Sequence, residues 1–177
     1  MTSGAGYRFD TSARDLGLLV LRFAVGAAIL QAGLLKAFDY QAVVDAMAQS
    51  GWRMPQLAAF MVTAAETLGG LGLLLGIVTP LAGMAVTAAM IDAWAVNVAG
   101  TAFWSDPFNL PFMIGLGAVA LLLTGAGVHS LDERLWGRAT WPRLVSVTLL
   151  IVAIAAAVIT WVTLNGTNPL HWTTPAA

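Results

Sequence analysis

The 177-residue chain contains no cysteine. That excludes disulfide exchange, thiolate catalysis, iron–sulfur clusters and Cys-type zinc sites. Charge is nearly as scarce: Asp, Glu, Lys and Arg make up 10% of the residues, against about 25% in a soluble domain. The net charge of −1 gives no basis for a nucleic-acid partner. The two histidines, His129 and His171, fall on opposite sides of the expected topology, so neither haem nor a His-based metal site is expected. No covalent cofactor is expected either. No internal repeat is visible, and no loop is long enough for a soluble domain. What is abundant is apolar: 59% of residues are hydrophobic and the mean hydropathy is +0.81. The chain reads as an integral membrane protein, with the lipid bilayer as its first partner.

A spanning helix needs about 20 mostly apolar residues. Five segments meet that need: Leu16 to Leu35, Leu57 to Val78, Leu81 to Gly100, Leu110 to Gly127 and Leu144 to Leu164. The expected fold is an all-α membrane protein, a four-helix transmembrane bundle plus a fifth transmembrane helix. The first segment is a retained span, since it is too long for the core of a signal peptide. Thr79-Pro80 reads as a tight turn, with Pro80 starting the third span. Residues 1–15 form a polar N-terminal segment, 16–135 the bundle, 136–164 a linker with the fifth span, and 165–177 a tail. DYQAVVDAMAQS reads as a short interfacial helix, TAFWSDPFN as an ordered turn, TGAG as a helix end and SLDE as a capping box.

Orientation follows from basic residues in the loops. Arg8, Arg14, Arg134, Arg138 and Arg143 fall on one side, with Lys36 and Arg53 on the other, which puts the N-terminus in the cytoplasm and the C-terminus outside. Trp52, Trp104, Trp136, Trp141 and Trp161 fit an aromatic belt. The uncharged fifth span reads as an anchor or a docking surface for another subunit.

Three ionisable residues lie well inside apolar runs: Arg22, Glu66 and Asp92. Each costs at least about 2.5 kcal/mol near a bilayer centre, so each is expected to face protein. At 100° per residue, Arg22 shares a stripe with Gly26, Ile29, Gly33 and Lys36. Glu66 aligns with Ala59, Val62, Thr63, Gly70 and Leu73, beside a groove that includes Gly69, Gly72 and Gly76. Small residues at that spacing let a second helix approach closely. Asp92 sits on an alanine face. Gln31 lies on the opposite side from Arg22 and needs a separate partner.

Depth sharpens the picture. Arg22 lies roughly 9 Å into its span and Glu66 roughly 13 Å into its own from the other side. In a core of about 30 Å, the axial gap is roughly 8 Å, which extended side chains bridge. A buried cluster of Arg22, Glu66 and Asp92 is therefore expected, and these three are the candidate catalytic residues. One cation does not balance two acids, and a buried acid without a full partner takes up a proton. The cluster reads either as a structural ion pair or as a site for protons or a ligand. Lys36 either snorkels to water or lines the mouth of that site. Gln31, Lys36 and Asn97 are the candidate ligand-binding residues.

The segments LRFAVGAAILQAGLLKAF, AETLGGLGLLLGIVTPLAG and GAGVHSLDERL together resemble the DoxX family of small bacterial membrane proteins, and its DoxD branch. The matching positions are Arg22, Gly26, Gly33 and Lys36 in the first span, and Glu66, Gly69, Gly70 and Gly76 in the second. Ala126, Val128 and His129 depart from the family's usual third motif, and the fifth span lies outside its usual four-helix core. The resemblance implies a bundle in the bacterial cytoplasmic membrane, acting as a subunit of a larger complex. Some members serve quinone-linked enzymes, so a quinone and other protein subunits are the expected partners. Reduction of a quinone consumes protons, which Arg22, Glu66 and Asp92 would handle, with electrons arriving from a partner. The alternatives are a non-enzymatic anchor or assembly subunit and a small proton-coupled carrier. The absence of an evident inverted repeat speaks against the carrier.

Overall fold

The computed structural model describes residues 4–174, with side chains from residue 13 onward. The side chain of Arg8 and residues 175–177 of the tail lie outside that description. Among the described residues the chain is all-helical. The elements are α1 (Gly4–Phe38), α2 (Tyr40–Gln49), α3 (Pro55–Leu75), α4 (Thr79–Ala99), α5 (Leu110–Thr124), α6 (Leu131–Trp136) and α7 (Arg143–Thr160), the last continued by a π turn over Trp161–Asn165. α1 begins at Gly4 and so runs through residues 4–15 of the N-terminal segment.

Among the described residues four helices are long and apolar enough to cross a membrane: Ala13–Phe38, Pro55–Leu75, Thr79–Ala99 and Arg143–Asn165. The expected fourth span is shorter than the sequence indicates. α5 has 15 residues, ending where Gly125 takes φ +81°. At 1.5 Å per residue it rises roughly 22 Å. It still joins the two ends of the bundle. Before its start, Pro107 accepts a hydrogen bond from Trp94 near the end of α4. Beyond its end, Ala126 accepts one from Arg22 near the start of the α1 span. These are called the α2 end and the α6 end below.

α1 packs along α3, and α4 lies centrally against α3, α5 and α7. Glycine sets the closeness of the first pair. A Cβ on Gly26 would lie 2.6 Å from the Leu74 backbone nitrogen, and one on Gly70 would lie 2.5 Å from that of Leu30. Gly69 and Gly72 meet α4 instead, where added carbons would reach Val86 and Ala82 at 2.7 Å. One core cluster includes Ile29, Leu73, Val86, Met90 and Leu121. A second, at the α2 end, gathers Trp52, Ala58, Ala95, Trp161 and Leu164.

The turn between α3 and α4 lies one step earlier than Thr79-Pro80. Gly76 ends α3 in the left-handed region, Val78 also has positive φ, and Thr79 and Pro80 already belong to α4. A β-branched residue at φ +46° is strained, and Asp132 holds it there. Its carboxylate accepts from the backbone nitrogens of Val78 at 2.6 Å and Thr79 at 3.0 Å, and from the Trp141 indole at 3.0 Å. It thus satisfies free N–H groups at the start of α4. Ser130 caps α6 by accepting from the Glu133 nitrogen, as a capping box requires. Asp132→Ala should cost about 2 kcal/mol or more, because it strands buried donors. A thermal melt in detergent that matches the parent protein would refute this role.

Candidate functional site

The α3–α4 interface opens toward the α2 end into a cavity of about 310 Å³. Its wall is mostly alanine, valine and methionine from α3, α4 and α7, with Trp52 from the α2–α3 connection. Four candidate residues of the sequence reading line it: Lys36, Glu66, Asp92 and Asn97. Lys36 Nζ donates to Glu66 Oε2 at 2.6 Å, and Glu66 is only 3% exposed. α1 positions this pair. Gly33 lies one turn before Lys36, and its close contact is with the backbone of Glu66 and Thr67. Lys36 therefore meets a carboxylate rather than turning wholly to water, although its side chain keeps 30% of its exposure.

Asp92 enters from the facing wall on α4. Its Oδ1 is buried with no hydrogen-bond partner among the described residues. The Trp52 indole nitrogen, in the same lining, is likewise buried and without an acceptor.

Arg22 does not join this group. Its guanidinium donates to the carbonyls of Leu73, Leu74, Ala126 and His129, at 3.3, 3.1, 2.9 and 2.8 Å. Those acceptors are the C-terminal carbonyls of α3 and the loop after α5, where the helix dipole favours a cation. Leu73 lies seven residues beyond Glu66, roughly 10 Å along the helix. Arg22 thus binds the α6 end together while Lys36 takes the carboxylate. Gln31 is exposed on α1 and outside the cavity lining. Gly26, Gly33, Gly69, Gly70 and Gly72 lie at helix contacts, and Gly76 packs against Ser130 and Arg22.

Sequence reasoning missed three contributors. Trp52 fits an aromatic belt, but it lines the cavity and stacks edge-on against Trp161, with ring centroids 5.8 Å apart. α7 is more than an anchor, since Ala156, Ala157 and Thr160 close one side of the cavity. Arg53 fixes that closure: its backbone nitrogen donates to Leu164 and its guanidinium to Thr163. Alanines facing an acid-bearing helix were the available signal for the α7 wall.

Fold and site together define a multi-pass helical membrane protein with a carboxylate-bearing cavity inside its bundle. Residues 17–99, covering most of α1 through α4, match the DoxX family model, so that part of the chain carries a DoxX domain. No curated protein and no solved structure matches the chain.

Proposed function

We propose that the chain is the membrane subunit of a quinone-linked redox complex, and that the cavity receives the quinone headgroup. The observation that carries this reading is the placement of Lys36, Glu66 and Asp92 in an otherwise apolar cavity between spanning helices. A largely apolar pocket with a few convergent polar groups is the usual form of a small-molecule site. The residues fit such a headgroup: alanine and methionine faces suit a ring, and Lys36 keeps ammonium protons beyond the one given to Glu66. When bound, a quinone supplies two-electron, two-proton chemistry. Lys36 would orient a ring oxygen by donating to it. Glu66, linked to Lys36, would hold a proton beside that oxygen, and Asp92 would do so from the facing wall. The chain has no thiol or facing histidine pair for an internal redox centre, so electrons would come from another subunit. The family resemblance accords with this reading, which would place the protein in a bacterial cytoplasmic membrane.

The test is equilibrium binding of a short-chain quinone to the protein in lipid nanodiscs, with native purification to identify co-purifying subunits and quinones. Binding should saturate, and Glu66→Gln should weaken it at least about tenfold, the scale of one hydrogen bond to a charged group. A parent protein that binds no quinone would end this reading. Recovery of only non-redox partners would favour an assembly subunit.

A further inference from the structure

Within the cavity, hydrogen-bonding capacity is unevenly used. Lys36 and Glu66 pair with each other through one hydrogen bond. Among the described residues Asp92 Oδ1 is buried without a partner, and its neighbours in the lining on α4 are Ala85, Ala88, Ala89, Ala93, Val96 and Asn97. Trp52 presents the complementary deficit, a buried N–H without an acceptor, on a residue only 7% exposed. A native protein seldom leaves such groups unmatched, because each costs free energy in an apolar setting. Asp92 Oδ1 lacks a donor and the Trp52 N–H lacks an acceptor among the described residues, and both residues line the same cavity.

We infer that the cavity selects lipophilic ligands by a hydroxyl group, holding a phenol or quinol in preference to the corresponding ether or quinone. A hydroxyl is both donor and acceptor. It can donate to the Asp92 carboxylate while its oxygen still accepts a second hydrogen bond. A carbonyl or ether oxygen only accepts, so it leaves the ionised Asp92 carboxylate as unmatched as before. Sites built to pair a hydroxyl reject analogues that lack it, since the buried partner is then stranded. Selection also requires a closed wall beside Asp92. The Ala156–Thr160 stretch of α7 supplies it, held by the Trp52–Trp161 stack. For the quinone pair this inference rests on the redox reading above, whereas for a simple phenol it does not.

The experiment measures equilibrium binding to the full chain in nanodiscs. The probes are a para-alkylphenol, its methyl ether, and a short-chain quinone with its anaerobically kept quinol. The phenol should bind at least about tenfold more tightly than the ether, and the quinol more tightly than the quinone. Asp92→Leu should bring the phenol-to-ether ratio close to one. Asp92→Asn, which keeps an acceptor oxygen, should retain part of the preference. Neither variant removes a hydrogen bond of Asp92 Oδ1, and a thermal melt of each in detergent checks that the bundle is retained. Equal binding of phenol and ether to the parent protein overturns the inference, as does an unchanged ratio in Asp92→Leu. Phenol selection without any quinone or quinol binding would uphold it and sink the redox reading. Quinone binding without phenol selection would do the reverse.

Discussion

Gly33→Ala should destabilise the bundle by roughly 2–3 kcal/mol, the scale of overpacking a tight contact. Gly17→Ala in the same helix should gain up to about 1 kcal/mol from backbone restriction. The same added carbon meets different surroundings. At Gly33 it would lie 2.5 Å from the Thr67 nitrogen and 2.8 Å from the Glu66 carbonyl carbon, whereas at Gly17 nothing lies within 4 Å. Backbone atoms have no rotamer with which to yield, so α1 and α3 must separate. That separation acts where Lys36 meets Glu66, one turn away, so ligand binding should weaken along with stability. Thermal unfolding of the two variants in detergent is the comparison to make. Equal melting temperatures would show that the helix contact is looser than described.

Arg22→Ala should have the largest effect of any single side-chain truncation, at least about 3 kcal/mol, since it strands several carbonyls that had a charged donor. Arg22 is 3% exposed and ties α1 to α3 and to the loop after α5 through four carbonyls. Arg22→Lys keeps the charge but loses the planar fork that spreads these bonds, and should fall between the two. Limited proteolysis at the α6 end, read beside the melting curve, separates local opening from global loss. If Arg22→Ala melts like the parent, the carbonyl network contributes little.

The helices were legible in the sequence because apolar length is written into it directly. The stripe of Arg22, Gly26, Ile29, Gly33 and Lys36 follows from helical geometry, and its first four members are buried. Pairing was harder. Depth arithmetic placed Arg22 within reach of Glu66 but treated carboxylates as the only partners. Backbone carbonyls have no residue signature, so the acceptors at Leu73, Leu74, Ala126 and His129 left no trace to read. Asp132 shows the same limit. SLDE marks the cap of α6, which Ser130 provides, yet the carboxylate of Asp132 serves the start of α4, more than 50 residues away. Lys36 was readable as lining the mouth. That Glu66 was its counter-charge depended on how closely Gly33 brings α1 to α3. The α7 wall depended on which face of an uncharged helix meets α4, and uniform apolarity conceals that.

The shortness of α5 has a consequence for the surrounding lipid. A rise of roughly 22 Å falls short of a hydrocarbon layer of about 30 Å. Such hydrophobic mismatch ordinarily thins the bilayer. Here Gly125, Ala126 and Gly127 continue from α5 as irregular backbone, and all are buried. Ala126 gives its carbonyl to Arg22, and Gly127 donates its N–H to Ala139. Irregular backbone is tolerated at that depth only where protein satisfies it. The guanidinium of Arg22 therefore stands in for a missing helical turn, and spares the lipid beside α5 part of the deformation that a short span would otherwise impose.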